Sequence, residues 1–479
     1  MPIATPAAPH PHLPIPLGDL SVWQKSTRDH PLLNRGKDEP LPSEADVVIV
    51  GSGMCGAVVA NTLLNAENRP GRVVVLEARE ICSGASGRNA GHCRPDAARG
   101  FDQFAALHGA EQAIKILSSE SVVLDRVDAF VNEHSVECEW TPRDTYDVCL
   151  SEEFEKYEST SLANMRAAGG QPDIEVVGSE EAKKGARSDM AIAAFKWKAA
   201  TLNPAKLTLG IHTINTSLGG YELFAYAPVH SVAQDADGVS WSVVTPRGSV
   251  KAGKVVFCTN AYSQAIVPVL EGLIIPTKAQ AVKLSAAPAG LDACPRFDPS
   301  YSLRFLPKHF YSVATRPDNS IVLGTSRGWA GMPPAVLAST YNTVDDSCAN
   351  PLVTQNGVET FAELYPKGGW SAEGIDEGRA KGYEYAWTGI IGMTPDAVPF
   401  IGDVPGKAGQ YVAAGYNGHG MARIFLCAPT LAKYMLDGTW DTAMPEAFRV
   451  TPERIAGLRK TVDHLNLGSG PAGFSKLVA

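Results

Sequence analysis

The 479-residue sequence has no apolar stretch long enough to span a bilayer, no run of basic residues and no C-x-x-C pair. The first absence argues against a membrane-spanning protein. The second, with a formal net charge of −9, argues against nucleic acid or an anionic membrane as the main partner. The third removes the commonest zinc and thiol-redox patterns, and an odd nine cysteines fit reduced thiols better than a disulfide framework. His and Cys do not gather at ligand spacing, so no metal is expected. G-x-S-x-G and P-loop lysine motifs are missing, as are internal repeats and low-complexity tracts. Met1 to Leu20 is rich in Pro and His but lacks a charged n-region and an apolar core, so neither signal nor transit peptide is expected. The terminal Lys-Leu-Val-Ala is not a peroxisomal tripeptide. A cytoplasmic, soluble protein is the expectation.

What is present is concentrated between Asp46 and Glu77. An apolar run, Val47 to Val50, suits a strand buried on both faces. Gly51, Gly53 and Gly56 follow at G-x-G-x-x-G spacing, with Ser52, Met54 and Cys55 between them, and lead into an Ala-rich helix. A second apolar run, Val73 to Leu76, ends at Glu77 and Ala78. The glycines permit a tight turn and close approach of backbone to a pyrophosphate. The helix start supplies N–H groups and partial positive charge, and Glu77 can accept hydrogen bonds from a ribose diol. Dinucleotide binding is the reading.

Hydrophobic content of 44% with 19% charged residues fits a well-cored enzyme, and the length suggests two packed domains. Residues 1–44 read as a Pro-rich lead-in draped over the surface. A long helix is expected from Phe101 to about Phe130, another from Lys156 to Ala168, and extended chain from Glu137 to Leu150. Pro204 should open a helix. Tyr221 to Val256 reads as a β-meander, Gln410 to Ala414 as a strand, and Ala422 to Leu436 as a helix. The fold class expected is α/β: an interrupted Rossmann-type dinucleotide-binding domain (45–100, 201–275 and 391–479) interleaved with an α+β substrate domain (101–200 and 276–390) carrying a mostly antiparallel sheet.

Three further motifs carry chemistry. Cys82 to His92 reads C-S-G-A-S-G-R-N-A-G-H, where small residues let backbone run beside a flat ligand and Arg88 could neutralise a phosphate. Gly415 to Met421 reads G-Y-N-G-H-G-M, and Tyr383 to Gly402 contains W-T-G and T-P-D-A-V-P-F-I-G. Together with the glycine motif, these resemble the FAD-dependent oxidoreductases of the D-amino-acid oxidase family, closest in motif to its gamma-glutamylputrescine oxidase-like members. The resemblance implies that Gly51, Gly53 and Gly56 cradle the FAD pyrophosphate and Glu77 holds the adenosine ribose. It implies that Ala85, Ser86, Arg88, Asn89, Ala90, Gly91 and His92 run along phosphate and ribityl, and that Val229 meets the adenine. Thr259 and Asn260 match a strand-end turn, with Asn260 where the family has glycine. Gly418, His419, Gly420 and Met421 would face the flavin at a helix start.

Departures from the family are informative. Gly389 stands near the cysteine that some members bond to flavin, so that thioether is not expected. Ile391 stands where glycine and D-amino-acid oxidases place a carboxylate-clamping arginine. An amine without an adjacent carboxylate is therefore favoured as substrate over an α-amino acid, although Arg304 and Arg327 could restore a clamp from other strands. His92, Trp387 and His419 are the residues expected near the reacting atoms. His92 is a covalent flavin ligand, a hydrogen-bond donor or a packed loop residue, and Trp387 a cation–π wall or core. The implied activity is oxidation of a C–N bond with hydride passing to FAD and oxygen as acceptor. A dehydrogenase using another acceptor, or a flavoprotein acting on a partner, stays open.

Overall fold

The computed structural model describes residues 10–464. Strand Glu44–Val50 is the centre of the first sheet because Val47 to Val50 are apolar on both faces and at most 4% exposed. Strand Gly248–Phe257 pairs with it in parallel on one side and Val73–Leu76 on the other. Beyond these lie Gln410–Ala414 and Tyr221–Phe224, also parallel, with Phe400–Asp403 antiparallel at the edge. Alternation along the strands sends Val47, Ile49, Val73 and Val75 into one core and Val48, Val50, Val74 and Leu76 into another. Helices Met54–Leu64, Ile424–Asp437 and Pro204–Ser217 pack together in the first core. A three-stranded meander of Ser231–Gln234, Trp241–Thr245 and the start of Gly248–Phe257 fills the second.

The other sheet runs Tyr383–Met393, Ile275–Leu284, Ile321–Gly324, Phe310–Thr315, Ser300–Arg304, Thr141–Cys149, Ala193–Thr201 and His92–Cys93. Every neighbouring pair is antiparallel except Ser300–Arg304 with Thr141–Cys149. The fold is α/β, an interrupted Rossmann-type unit interleaved with an α+β unit.

Several expectations need correction. The helix expected from Phe101 to Phe130 is two, Phe101–His108 and Ala110–Glu133, broken where Gly109 takes φ 84° and ψ 155°, a conformation open to glycine alone. Tyr221–Phe224 joins the parallel ladder, so the meander begins only at Ser231. The helix expected from Ala422 starts at Ile424, after a tight turn at Gly420–Ala422. Two strands of the second sheet overrun the boundaries expected for the FAD-binding segments: His92–Cys93 lies inside 45–100, and Tyr383–Met393 passes residue 390. Pro204 opens its helix as expected, with Asn203 Oδ1 capping Lys206 N at 3.2 Å.

The lead-in is not merely draped. Trp23 is 2% exposed, within the first core. A capping box formed by Ser21 and Gln24 fixes the short helix Val22–Lys25 that carries it. Among the described residues no helix is long and apolar enough to cross a membrane.

Candidate active site

The glycine turn does what its spacing promises. A Cβ on Gly56 would stand 2.1 Å from the Gly51 carbonyl oxygen, so helix and strand meet this closely only with glycine. A Cβ on Gly53 would reach 3.0 Å from Ser86 Oγ, and Gly53 N-caps the helix without a side-chain bond of its own. Ser86 Oγ instead accepts from Met54 N at 2.8 Å. Glu77 is locked in place: Oε2 accepts from Ser52 N and Oγ at 3.0 and 2.7 Å, and Oε1 from Arg79 N at 3.0 Å. Around these groups runs a channel lined by Gly51, Gly53, Cys55, Glu77, Ala78, Ala85, Ser86 and Asn89. Its far end is an apolar slot of Leu13, Pro14, Val229, Tyr262 and Ile266, beside Thr259 and Asn260. Its near end opens between Ile391, Gly418, Gly420 and Met421. An apolar slot, a small-residue waist at a helix start and an acid beside it fit the chemistry of FAD.

Asn260 explains its own departure from glycine. Its φ is +44°, a left-handed conformation that asparagine tolerates, and its Oδ1 accepts from Gly415 and Tyr416 N at 3.0 and 3.1 Å.

The loop from Cys82 to His92 divides its residues between roles. Asn89 borders the channel, yet Arg88 does not reach for a phosphate. Its guanidinium donates to Thr388 O, Gln24 Oε1, Asp19 O and Asp346 O, all within 3.0 Å, and is fully buried. A buried cation with four of its five N–H donors taken by protein is a clasp between segments, and the expected phosphate role is withdrawn. Gly91 likewise packs beneath Trp23, where a Cβ would come 2.6 Å from the indole, and borders neither cavity. Trp23 Nε1 donates to Asn89 O at 2.6 Å and Ser21 Oγ to Gly87 O at 2.5 Å. The lead-in therefore holds the outer side of the coenzyme loop and contributes Leu13 and Pro14 to its channel.

A second chamber, about 270 Å³, meets the channel along Ala85, Asn89, Ile390, Ile391, Gly418 and Met421. Ala90 and His92 line it, and its floor is the face of the second sheet, where Ser302, Ser312, Gly324 and Ala281 stand opposite one another on four strands. His92 offers two buried ring nitrogens with no hydrogen-bond partner, and burial together with Arg94 and Arg143 pushes it down to about 3. The ring is neutral. Trp387 does not line the chamber. It is fully buried, its Nε1 donates to Arg88 O at 2.9 Å, and no ring face is left to cover a ligand; the expected catalytic wall is core.

His419 lies on the chamber wall with Nε2 3.1 Å from Asp96 Oδ2 and Nδ1 3.8 Å from Glu120 Oε1. Burial and then Arg423 and Arg99 hold it well below the ordinary imidazole range. Asp96, Glu120 and His419 come within 4.8 Å of one another, a cluster that sequence spacing did not show. Arg423 on Glu120 at 3.0 Å and Arg99 on Asp96 already supply positive charge to those carboxylates.

The chamber is basic. Among its described lining residues Asp96 is the one acid, against Arg94, Arg99, Arg304 and Arg327 as well as the sequestered Arg88. Arg304 Nε bonds Asp147 Oδ1 at 3.1 Å and Nη1 bonds Pro307 O at 3.0 Å, so it is not the freely presented clamp the sequence suggested. Arg327 has no carboxylate partner among the described residues; its Nη1 lies 3.8 Å from Met393 Sδ, two positions along the strand from Ile391. Arg94, Asp96 and Arg99 were missed in the sequence, although R-P-D-A-A-R follows His92 and Cys93 directly.

Known proteins resemble the chain over most of its length. A probable oxidoreductase OrdL of Haemophilus influenzae is 24% identical over 90% of this chain and 93% of its own. Gamma-glutamylputrescine oxidoreductase of Escherichia coli is 23% identical over 81% of this chain and 83% of its own. The crystal structure of glycine oxidase from Geobacillus kaustophilus superposes with a TM-score of 0.66 at 20% identity, covering 86% of this chain and 99% of that one. The sequence model of the FAD dependent oxidoreductase family, DAO, matches residues 46–434, and the chain belongs to that family.

Proposed function

We propose that the protein oxidises the C–N bond of an amino acid, an amine that also carries a carboxylate, in place of the carboxylate-free amine that Ile391 alone favoured. The observation that carries this is Arg327: a guanidinium within the chamber wall, pushed below its ordinary range by desolvation, with no acid beside it among the described residues. A part-exposed guanidinium facing a chamber without an acid partner is a seat for an anionic ligand. Its Nη1 reaches Met393 Sδ on the strand of Ile391, the position left apolar, from beyond the end of Ile321–Gly324, two strands away, so the proposed clamp comes from that strand end. The name of the Escherichia coli relative supports the C–N class.

FAD, when bound, supplies the chemistry, taking the hydride released as the C–H bond breaks and the C=N bond forms. The chain's own residues orient and screen. Arg327 holds the substrate carboxylate by charge-assisted bonds. Asp96 offers a seat for the substrate nitrogen and keeps the proton of neutral His419 on Nε2. Ile390, Ile391 and Met421 exclude water where channel and chamber meet. Water then hydrolyses the imine, and oxygen is the proposed final acceptor.

Anaerobic addition of amino acids, N-methyl amines and polyamines to the flavoprotein tests the reading. Bleaching of the flavin band by carboxylate-bearing amines is expected. Bleaching by diamines alone overturns it. Mixing photoreduced protein with aerated buffer tests the acceptor: slow return of the oxidised spectrum removes oxygen from the scheme.

A further inference from the structure

The cationic side of the chamber is built around one carboxylate shared three ways. Asp147, fully buried, accepts from Arg94 Nη2 at 2.8 Å, Arg99 Nη1 at 2.5 Å and Arg304 Nε at 3.1 Å. The other acid facing this group is Glu158, whose two oxygens are buried without a hydrogen-bond partner. Burial and then Asp147 push it up to about 8, so it is uncharged at neutral pH. Asp96 is shared between Arg99 and His419. Three guanidiniums thus face less than their own charge in anions, and burial with Arg99 beside it brings Arg304 down to about 9. Arg94, Arg99 and Arg304 all line the chamber, and no bond occupies Arg304 Nη2 among the described residues. On the same wall His92 presents its unpartnered ring.

This cluster and Arg327 are separate seats. Strands Ser300–Arg304 and Ile321–Gly324 flank Phe310–Thr315, with Ser302, Ser312 and Gly324 in register. Ser302 and Gly324 lie two strand spacings, roughly 10 Å, apart, and Arg304 and Arg327 follow them at the same end of the sheet. Long side chains reach inward from both. We propose that the substrate is a dicarboxylic amino acid, one carboxylate held by Arg327 and the second by Arg94, Arg304 and His92. This rests on the reading of the chamber as an amino-acid site and adds the identity of the substrate's distal group.

The test uses the holoenzyme and matched pairs under nitrogen: aspartate against asparagine, glutamate against glutamine, iminodiacetate against sarcosine, in both enantiomers where they exist. The dicarboxylic member should bleach the flavin with a second-order rate constant roughly 10- to 100-fold above its partner, the worth of a charge-assisted contact. Equal rates within the pairs overturn the second seat and leave the amino-acid reading standing. No bleaching by any carboxylated amine removes both. Because substitution of Arg304 risks the fold, the second arm needs none: succinate and glutarate should perturb the flavin spectrum at lower concentration than propionate. His92→Gln should raise the succinate Kd about tenfold and leave the propionate Kd in place. Equal affinity for the mono- and dicarboxylates also overturns the second seat.

Discussion

The indole Nε1 of Trp387 donates to the main-chain carbonyl of Arg88 at 2.9 Å, while Arg88 Nε donates back to the neighbouring Thr388 carbonyl. The two residues, 299 positions apart, tie the coenzyme loop to the strand that carries Ile391. Trp387→Phe keeps the ring and strands a buried carbonyl. Stability should fall by about 1–3 kcal/mol, a few degrees in Tm, with the flavin content of the folded protein unchanged. Loss of flavin at unaltered Tm would show that the indole serves the coenzyme directly.

Gly53 and Gly56 should respond differently to alanine. At Gly56 the new Cβ meets a backbone oxygen at 2.1 Å, so the apoprotein itself is destabilised. At Gly53 the neighbour is the Ser86 hydroxyl at 3.0 Å, which can give, and the Cβ enters the phosphate path. Apo Gly53→Ala should melt close to the parent while its FAD Kd rises at least tenfold in a fluorescence titration.

Arg327→Gln should raise KM for a carboxylated substrate roughly 10- to 100-fold and change kcat less, because the clamp grips ground state and transition state alike. Steady-state kinetics with a saturating series decide this. A fall confined to kcat would place Arg327 at the reacting carbon.

Glu158 sets a pH dependence of stability. Its folded pKa, pushed up to about 8, lies above the unfolded value, so the native state holds a proton the unfolded chain has lost. Between about pH 4.5 and pH 8 that linkage erodes stability as pH rises. Glu158→Gln removes the titration, and its Tm advantage over the parent should grow from pH 5 to pH 8. Thermal melts in matched buffers measure it, and a constant difference contradicts the assignment.

The apolar slot predicts a coenzyme-specific effect. Leu13→Asp should weaken FAD binding about tenfold and leave FMN, which lacks the adenine, bound as before. Equal losses for the two flavins would place Leu13 elsewhere in the energetics.

The nucleotide unit was legible because its signals are local. A four-residue apolar run, three glycines and an acid at the next strand end need no knowledge of distant chain. The same holds for Pro204 and Asn203. The charged chamber was legible only at Arg304 and Arg327, because Arg94, Glu120, Asp147, Glu158 and Arg423 come from separate segments and meet them only when the second sheet forms. Residue type also misled. Arg88 and Trp387 have the chemistry of phosphate and amine ligands, yet partners 64 to 300 residues away along the chain turn them inward. In the lead-in the proline content hid a readable sign, the S-V-W-Q capping box that precedes a buried tryptophan.

The partners of that lead-in include Asp346 and Ser347, through Arg88 and Asp19. During synthesis Ser21 and Trp23 can meet Gly87 and Asn89 early, while Asp19 waits for more than three hundred further residues before Ser347 exists to accept from it. Anything fused ahead of Met1 is joined, within thirteen residues, to one wall of the slot at the end of the coenzyme channel.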